Sequence, residues 1–555
     1  MTNTAIAAAL TLVLSGFAQA QSLPDSIARR VDQVFAAYDG ADRPGCAVGV
    51  YQGDRIAYAR GYGMANLELG TPLTPKSFLD IGSTSKQFTA FAVGLLEQDG
   101  KLLRTDPVRK YLPELGRYAD GITVEQLIQH TSGLRDYLVL MSLAGFRTED
   151  WTDAADALRL VVRQRAANFA PDAEYLYSNT GYFLLAQIVE RVSGRTLRSF
   201  AEDRIFRPLA MSGTHFHDDH GMIVPNRATG YSPRSDGHFA IDMSDYEQTG
   251  DGAVQTSIEE LLRWDANFYS GQVGGLDLVR QQQVPGTLVG GQTIEYAGGL
   301  MIGTFRGQPT VRHGGSWAGY RAELLRFPSQ HTSMAVLCNR ADADPSGLAD
   351  RMAEVVLAGV LESPKGAAAA SPAVAAAVVL SPEALAARVG IWRGRKSGEE
   401  RVIALVAGQL VFKIGGDLPL VPISADRFSL MGSYSIRFET EQGRPVLIPE
   451  QPELGDEKYD LIPPYQPGAA QLRALAGKYY ADELGVTWQV RADSGGLKVE
   501  DFRGRELTRL TPSSADVFGS TLGIGVRFLR GADRRVTGLS VQAGRVRNIL
   551  FSRAR

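Results

Sequence analysis

Ser83 and Lys86 are the two residues of this chain best placed by type and spacing to do chemistry. They lie three positions apart in Ser83-Thr-Ser-Lys86, and no other lysine among the 555 residues follows a serine at that distance. Positions i and i+3 share one face of a helix, so the serine Oγ and the lysine Nζ can come within hydrogen-bond distance. A hydroxyl beside an amine that takes its proton is an activated nucleophile. The pair therefore predicts covalent catalysis at Ser83.

Lys86 can act as a base at pH 7 only if its pKa is lowered. A lysine titrates near ~10.4 in water, and lowering that value by about three units costs roughly 4 kcal/mol. The dipole at a helix N-terminus supplies only ~0.3–2 kcal/mol. Lys86 must therefore be largely removed from water, or share its proton with a second group.

Tyr177 and Asn179 are the candidates for that second group and its support. They belong to Tyr177-Ser-Asn179, which leads into an apolar run with helical spacing from residue 182 to 192. A phenol beside a lysine ammonium loses its proton more easily, and an amide two residues on can hold the lysine and contact a substrate carbonyl. Alone the triplet is an ordinary helix start, and it gains meaning only beside Ser83.

A third element is His313-Gly-Gly315-Ser316, which follows a strand expected at residues 310–312. Two glycines after a strand permit close approach of a ligand to the backbone. The Ser316 amide could then join the Ser83 amide in an oxyanion hole. A histidine beside glycines is also common as a structural residue, so its role stays open at this point.

These three elements, in this order, resemble the serine β-lactamase and penicillin-binding-protein superfamily. Within it the likeness is to the class C-like branch, of peptidase family S12 type, which includes D-aminopeptidases, carboxylesterases and DD-peptidases. The likeness covers about residues 25–360 and extends to other family-like stretches at residues 129–134, 178–182 and 252–257.

The resemblance implies a role for each motif residue. The expected catalytic residues are Ser83 as nucleophile and Lys86 and Tyr177 as the acid/base pair. The expected substrate and oxyanion contacts come from Asn179, His313, Gly315 and Ser316.

One departure from the family pattern bears on the substrate. β-Lactamases of this type usually carry Lys-Thr-Gly where this chain has His313-Gly-Gly315, and that lysine attracts the β-lactam carboxylate. A histidine with an ordinary pKa near ~6.5 is mostly neutral at pH 7. The change argues against β-lactams and C-terminal D-Ala-D-Ala as preferred substrates. His-Gly-Gly does occur in the D-aminopeptidases of this superfamily, which also carry two C-terminal β-barrels.

The last β module carries a second departure. In D-aminopeptidases a longer loop of the last barrel reaches the catalytic cleft and helps to select substrates. The corresponding residues 519–525 are short here and contain no carboxylate that could meet a substrate amine. We therefore expect a more open cleft, which would favour bulkier amides or esters.

Patterns outside the motifs predict an α+β fold. Strand signals at both ends of residues 21–362, with helical signals between them, indicate one antiparallel sheet completed by both ends and flanked by helices. Capping-box patterns at Thr123 and Ser257 mark two helix starts. With the resemblance, this segment is expected to be a β-lactamase-like, transpeptidase-like serine hydrolase domain with a helical subdomain.

The remainder of the chain contains a repeat. Residues 363–382 are rich in Ala and Pro and are typical of a linker. Beyond them, three residues recur 87 positions later: Leu385, Gly390 and Trp392 correspond to Leu472, Gly477 and Tyr479. The sequence therefore predicts two copies of one small antiparallel β-barrel, at 383–465 and 466–555.

The N-terminus predicts export. Residues 1–20 combine a short apolar run with a small-x-small Ala18-Gln-Ala20 site, although no Lys or Arg precedes the run. We expect a signal peptide cleaved before Gln21, a periplasmic or secreted protein and no transmembrane segment. Export permits a disulfide between Cys46 and Cys338, but buried free thiols are common, so the sequence favours two thiols and leaves the pairing open.

Composition and motifs exclude several other classes. A formal net charge of −3 gives no basic surface of the kind that binds nucleic acid. His215, His217 and His220 could ligate a metal with the neighbouring aspartates, but the segment is more typical of a solvated loop. We therefore expect no metal and no cofactor. The lack of a G-x-S-x-G motif argues against an α/β-hydrolase.

The sequence thus predicts an exported serine hydrolase that forms an acyl-enzyme on Ser83 and cleaves amides or esters. D-Aminopeptidase-like activity on peptides or amides with an N-terminal D-residue is the leading specificity. A carboxylesterase and a DD-carboxypeptidase or weak β-lactamase are the enzymatic alternatives, and a penicillin-binding sensor or scaffold is the non-enzymatic one. The expected partner is a small peptide, amide or ester. The exact substrate, the oligomeric state, including a homo-oligomer, and the role of the β modules stay open.

Overall fold

The structure is a computed structural model. It describes residues 22–234, 236–363, 380–406, 408–413, 417–430, 434–450, 457–463, 465–493, 495–501 and 503–554. The predicted signal peptide lies outside the described residues, as does nearly all of the predicted linker.

Residues 22–363, apart from residue 235, are built around one antiparallel sheet and a set of short strands. The strands are β1 (Cys46–Gln52), β2 (Arg55–Tyr62), β3 (Met64–Asn66), β4 (Thr71–Pro72), β5 (Leu79–Asp80), β6 (His215–Phe216), β7 (Tyr231–Pro233), β8 (Phe239–Ile241), β9 (Val254–Thr256), β10 (Met301–Phe305), β11 (Gln308–Trp317), β12 (Tyr320–Phe327) and β13 (Thr332–Cys338). The main sheet has the order β10-β11-β12-β13-β1-β2. Strands from both ends of this segment complete the sheet. The predicted α+β class is confirmed.

Helices cover both faces of that sheet. They are α1 (Asp25–Val34), α2 (Lys86–Gln98), α3 (Val124–Ile128), α4 (Tyr137–Ala144), α5 (Ala154–Val162), α6 (Asn179–Ser193), α7 (Leu197–Ala201), α8 (Ile258–Ser270), α9 (Gly275–Gln282) and α10 (Pro345–Val356). Strand β1 is buried at nearly every position, because α10 packs on one face of the sheet and α8 on the other.

The two predicted helix starts are present, but only one is a complete capping box. At α3, Thr123 accepts a hydrogen bond from the Gln126 amide, and the Gln126 side chain accepts one from the Thr123 amide. At α8, Ser257 caps the Glu260 amide, but the Glu260 carboxylate accepts hydrogen bonds from the amides of residues 213 and 214 instead. That contact fixes the chain just before β6.

Cys46 and Cys338 form a disulfide, contrary to the arrangement that the sequence favoured. The two residues lie directly opposite each other on β1 and β13, which come from opposite ends of the segment. Sequence could not reveal this register, because 292 residues separate the two cysteines. The disulfide joins β1 and β13, the first and last strands of the sheet in chain order.

A three-stranded sheet, β5-β9-β6, leads directly into the nucleophile motif. Asp80 of β5 and His215 of β6 both pair with Gln255 of β9. The chain then enters a 3₁₀ turn, Gly82–Ser85, and continues as α2. The interpretation of the His215 segment as a solvated loop is therefore wrong for His215, which is in a strand, and for His217, which is buried.

The C-terminal part forms two closed eight-stranded antiparallel barrels, as the repeat predicted. Their strands are β14 (Gly390–Gly394), β15 (Glu400–Val406), β16 (Gln409–Lys413), β17 (Asp417–Pro422), β18 (Arg427–Leu430), β19 (Tyr434–Glu441), β20 (Arg444–Pro449), β21 (Tyr459–Ile462), and β22 (Gly477–Ala481), β23 (Val486–Asp493), β24 (Gly496–Glu500), β25 (Glu506–Pro512), β26 (Val517–Gly519), β27 (Ile524–Arg530), β28 (Val536–Ala543), β29 (Val546–Arg553). Short helices α11 (Pro382–Ala386) and α12 (Ala469–Leu475) precede them.

The repeat is visible in one matched contact. Trp392 of the first barrel and Tyr479 of the second are both fully buried. Each donates a side-chain hydrogen bond to the carbonyl four residues earlier, at Arg388 and Leu475 respectively. The same offset of 87 positions relates both donors and both acceptors.

The second barrel is packed against the helical part of the first segment. Its apolar core is continuous with the core around α2 to α6, whereas the first barrel has a separate core. Arg135 and Glu483 form a buried ion pair at 2.6 Å across this contact, and the Trp488 indole donates to the Leu143 carbonyl. The second barrel is therefore an integral part of the structure around α4 and α5.

Among the described residues, no helix is both long and apolar enough to cross a membrane.

Removing the disulfide is expected to destabilise the main sheet. A bond that closes so long a loop restricts the unfolded chain, so a Cys46→Ala, Cys338→Ala double variant should lose roughly 2–5 kcal/mol in free energy of unfolding. Urea titration followed by circular dichroism measures the change. Wild-type protein under a thiol reductant is the matched control and should behave like the double variant; equal stability of all three samples would contradict the prediction.

Candidate active site

Ser83 is half buried in the 3₁₀ turn that precedes α2. Gly82 before it has a φ of +49°, and a Cβ at that position would lie 2.6 Å from the Ser316 amide nitrogen. A Cβ on Gly315 would lie 1.9 Å from the Ile81 carbonyl oxygen. The turn and β11 therefore touch backbone to backbone, which requires glycine at both positions.

Strand β11 is longer than the sequence predicted. It pairs with β12 as far as Trp317, so His313, Gly315 and Ser316 lie within the strand and not after it. Thr84, directly after Ser83, donates a hydrogen bond to the His313 carbonyl at 3.1 Å. This register holds the Ser316 amide beside the Ser83 turn, the arrangement that an oxyanion hole requires.

Lys86 is completely buried in the first turn of α2. Its Nζ lies 3.1 Å from Ser83 Oγ, 2.9 Å from Asn179 Oδ1 and 2.5 Å from the Asp251 carbonyl oxygen. Burial lowers the pKa of Lys86 to about 7, against the opposing negative charge of Asp251. Burial therefore supplies the shift that a helix dipole alone could not.

Asp251 and Tyr137 complete the surroundings of Lys86, and sequence reasoning assigned neither. The Tyr137 hydroxyl donates to both oxygens of the Asp251 carboxylate, at 3.1 and 3.2 Å. Burial raises the pKa of Asp251 to about 6, although the nearby Lys86 charge opposes the rise. For Asp251 the nearest sequence signal was the family-like stretch at residues 252–257, which begins one residue too late.

Tyr177 lies beside Lys86, with its ring centroid 4.9 Å from Nζ. Burial raises the pKa of the Tyr177 hydroxyl, and nearby Ser83 lowers it in part, although the two hydroxyls fall short of hydrogen-bond geometry. His130 packs against the Tyr177 ring at 4.1 Å between centroids, and its Nδ1 accepts from the Ser178 amide. Tyr177 is thus a protonated phenol fixed in orientation by its neighbours.

Asn179 links Lys86 to α4. Its side-chain oxygen accepts from Lys86, and its backbone amide donates to Asp136 Oδ2 at 2.8 Å. Asp136 has no exposed side-chain surface and also caps α4 by accepting from the amides of Leu138 and Val139. The first residue of α6 and the first turn of α4 are therefore joined through one buried carboxylate.

His313 is buried and uses both ring nitrogens inside the protein. Nδ1 lies 2.6 Å from the Gly314 carbonyl oxygen, and Nε2 lies 2.9 Å from the Tyr296 hydroxyl. Because a carbonyl only accepts, Nδ1 carries the proton and Nε2 accepts from Tyr296. Burial lowers the pKa of His313 to about 3, so the ring is neutral at pH 7. The expected direct contact of His313 with substrate would have to break one of these bonds.

Arg545 reaches the same centre from the turn between β28 and β29. Its Nε lies 3.3 Å from Asp136 Oδ2, and its guanidinium carbon lies 5.5 Å from the Tyr177 ring centroid. Burial has the largest effect on both pKa values: it lowers the pKa of Lys86 and raises that of Tyr177. The positive charge of Arg545 lowers both pKa values. No sequence signal pointed to this residue.

The loop that was expected to decide the openness of the cleft faces elsewhere. A Cβ on Gly519 would lie 2.5 Å from the Glu400 carboxylate of the first barrel, and none of residues 519–525 lines the cleft. The second barrel instead contributes Arg545, and the first barrel contributes Glu450.

The cleft has a volume of about 920 Å³ and runs past Ser83, Tyr177 and β11. His217 lines it, whereas His220 lies at the surface with Asp219 and Glu247. The donor atoms of exposed Asp219 and His220 and of partly buried Glu247 are within 4.8 Å of one another. Exposed acidic groups often adopt such an arrangement without an ion, and we assign no metal to it.

The arrangement brings together what acyl transfer needs. A hydroxyl, an amine with a lowered pKa and a protonated phenol lie together in the cleft, and the Ser316 amide lies beside the turn that contains Ser83. All seven residues that the sequence singled out lie in or beside this centre.

The sequence matches the beta-lactamase family over residues 31–358, more than half of the chain. The chain belongs to the beta-lactamase family. The resemblance inferred from the motifs is therefore confirmed.

Relatives within the beta-lactamase family extend the match. A D-aminopeptidase of Cereibacter sphaeroides is 30% identical over 509 residues, which cover 89% of this chain and 90% of that protein. A D-aminopeptidase of Gluconobacter oxydans is 27% identical over 322 residues, 58% of this chain and 61% of that protein. The octameric penicillin-binding protein homologue from Pyrococcus abyssi shares the fold, with a TM-score of 0.56 and 22% identity over 79% of this chain and 99% of that one.

Close contact between β11 and the nucleophile turn gives the first test of the site. In a Gly315→Ala variant the added Cβ would force β11 away from Ile81, displacing the Ser316 amide, and kcat/KM should fall about 10²-fold. Gly303→Ala in the adjacent strand β10 is the control, since its Cβ would meet only Thr310 at 3.8 Å. Equal activity of the two variants on a p-nitrophenyl ester would contradict this account of the contact.

Arg545 should affect the acid limb of the pH profile. The wild-type limb is expected near pH 7, because Lys86 must be neutral and its pKa lies at about 7. Without the positive charge of Arg545 the ammonium form is favoured, so an Arg545→Met variant should show that limb at higher pH.

The control is Arg547→Met on the same hairpin, where Arg547 pairs with Glu174. The dependence of kcat/KM on pH is the measurement. An unchanged limb in Arg545→Met, or an equal shift in both variants, would show that the charge of Arg545 does not act on Lys86.

Proposed function

We propose that the protein is a serine hydrolase that forms an acyl-enzyme on Ser83, with D-aminopeptidase-like specificity. The observation that carries the proposal is the fully buried Lys86 with its Nζ 3.1 Å from Ser83 Oγ. A lysine with a pKa of about 7 is substantially neutral at neutral pH and can accept the serine proton.

In the acylation step, Ser83 Oγ attacks the carbonyl carbon of the substrate and its proton passes to Lys86. The negative oxygen of the tetrahedral intermediate is held by the Ser83 and Ser316 amides. Tyr177 donates its proton to the leaving amine or alkoxide and regains one from Lys86. The proton lost by Ser83 therefore leaves with the first product, and the Tyr177–Lys86 pair returns to its starting state.

In the deacylation step, water attacks the ester carbonyl of the acyl-enzyme. Tyr177 accepts a proton from that water as it passes its own proton to neutral Lys86, and Lys86 then returns a proton to Ser83 Oγ as the acyl–oxygen bond breaks. Asn179 keeps Lys86 in place throughout by accepting a hydrogen bond from Nζ. The same two groups thus act in opposite directions in the two halves of the cycle.

Two features support D-aminopeptidase-like specificity over β-lactam hydrolysis. The relatives include D-aminopeptidases, one of which aligns over 89% of this chain. At the position where β-lactamases usually carry a lysine on β11, His313 is neutral and offers no charge to a carboxylate.

A DD-carboxypeptidase is the second candidate, because Arg545 provides a positive charge on the leaving-group side of the cleft. The guanidinium lies near Tyr177, the group that would protonate the leaving amine, so it could attract a carboxylate on the leaving residue. D-Aminopeptidase action on a dipeptide would place a carboxylate there too, so this charge alone does not discriminate between them.

Export remains part of the proposal. The Cys46–Cys338 disulfide supports an oxidising location, and the predicted leader at residues 1–20 would provide the route.

Labelling with a fluorophosphonate and substrate profiling test this function. We expect wild-type protein to be labelled at Ser83 and to hydrolyse D-alanine p-nitroanilide faster than its L-enantiomer or a chromogenic cephalosporin. Ser83→Ala should abolish labelling and reduce turnover at least about 10³-fold, since the covalent route is lost.

Ser178→Ala is a closely matched control. Its buried hydroxyl has no hydrogen-bond partner although it lies between Tyr177 and Asn179, so labelling should persist. Labelling of Ser83→Ala would exclude Ser83 as the nucleophile, and turnover of esters without D-amides would favour the carboxylesterase alternative.

A further inference from the structure

We propose that Asp80, His217 and Gln255 form the subsite that binds the free amino group of the substrate. This inference rests on the proposed D-aminopeptidase-like function and deepens it. Residues 519–525 offer no carboxylate for an amine and do not line the cleft. A substrate amine therefore needs a partner elsewhere in the cleft.

The three side chains share one face of the small β5-β9-β6 sheet. Asp80 and Gln255 are directly opposite in register, and so are His215 and Gln255, so their side chains point to the same side. His217 follows His215 by two positions, just beyond the end of β6, and its ring centroid lies 5.6 Å from that of His215. Asp80, His217 and Gln255 all line the cleft.

His217 presents an unused acceptor to this face. His215 Nδ1 lies 2.8 Å from the Gly213 carbonyl, so it carries the proton, and its Nε2 is left as an acceptor. His217 Nδ1, 3.4 Å from that Nε2, must therefore be the donor of the pair. The remaining ring nitrogen, His217 Nε2, therefore carries a lone pair and is buried without a hydrogen-bond partner.

Gln255 and Asp80 add acceptors beside it. Gln255 is 1% exposed, and its side-chain oxygen is buried without a partner. Asp80 is 8% exposed, and one of its oxygens accepts from the Gly82 amide at 2.7 Å. Buried acceptors without donors cost free energy unless a ligand satisfies them. An amine or ammonium group, with up to three N–H donors, has the complementary chemistry.

Arg227 also lines this part of the cleft and limits what can bind there. Its charge lowers the pKa of Asp80 and of His217, although burial has the larger effect on both groups. Its Nε is buried without a partner. The subsite therefore already contains the Arg227 guanidinium beside the Asp80 carboxylate. Because that positive charge repels further cations, a primary amine fits the subsite better than a guanidinium or a dication.

The position of the subsite suits the acyl half of the substrate. The Asp80 carboxylate accepts a hydrogen bond from the amide of Gly82, the residue directly before the proposed nucleophile Ser83. Tyr177, which would protonate the leaving group, lies among His130, Tyr296 and Arg545 instead. In an aminopeptidase the free amine belongs to the acyl half, one carbon from the attacked carbonyl. Amine recognition on the Asp80 side is consistent with that geometry.

The test compares a substrate that has an amine with one that lacks it. D-Alanine p-nitroanilide carries the amine, and p-nitrophenyl acetate does not. Gln255→Met and His217→Leu each remove one acceptor at similar volume, so kcat/KM for the anilide should fall roughly 10- to 100-fold. The ester rate and fluorophosphonate labelling of Ser83 should stay within about twofold.

Two further variants separate recognition from structural damage. His217→Gln places an amide oxygen near the position of Nε2 and should recover most of the anilide activity. Thr256→Val alters the same strand β9 at a buried hydroxyl bonded to Thr214, outside the cleft lining, and should affect both substrates equally or neither.

The outcomes distinguish this inference from the proposed function. If wild type hydrolyses the anilide but Gln255→Met and His217→Leu lose both substrates in parallel, or lose neither, the amine subsite is wrong and the D-aminopeptidase assignment stands. If wild type is labelled at Ser83 and cleaves only the ester, the D-aminopeptidase assignment fails, and the amine subsite fails with it.

Discussion

The removal of Lys86 from water is the constraint on which the rest of the site depends. An ammonium group buried without compensation would be too costly, so the protein surrounds it with oxygen acceptors from Ser83, Asn179 and Asp251. These acceptors satisfy the hydrogen bonds of Nζ, while burial keeps its proton weakly held. Burying Lys86 requires α2, α6 and the segment before β9 to meet at one point, so the lowered pKa of Lys86 and the packing of these elements have the same cause.

The sequence predicted the parts of the site that are local, and it failed where contacts are distant. Ser83 and Lys86 were found because three residues of helical chain place them together. The antiparallel sheet and the barrels were found because strand alternation and an 87-residue repeat are visible in one dimension. The Cys46–Cys338 pair and Arg545 were not, because their partners are set by strand register and by how the second barrel docks.

Other differences arose because a side chain had a better partner than its neighbours in sequence. Glu260 resembles the second half of a capping box but bonds to the chain before β6. His313 was expected to face the substrate but is occupied by Tyr296 and a backbone carbonyl. His215 and His217 resembled a polar loop, yet pairing with β9 places them in a sheet. Each case required knowledge of an element more than 15 residues away.

The docked hairpin between β28 and β29 has a consequence for how the enzyme matures. Its backbone accepts hydrogen bonds from Asp136 and Asn168, and Arg545 pairs with the carboxylate that holds Asn179. Arg545 is thus synthesised after every motif residue from Ser83 to Ser316. A nascent or truncated chain can contain every motif residue from Ser83 to Ser316 and still lack the contacts that Arg545 makes with Asp136 and Tyr177.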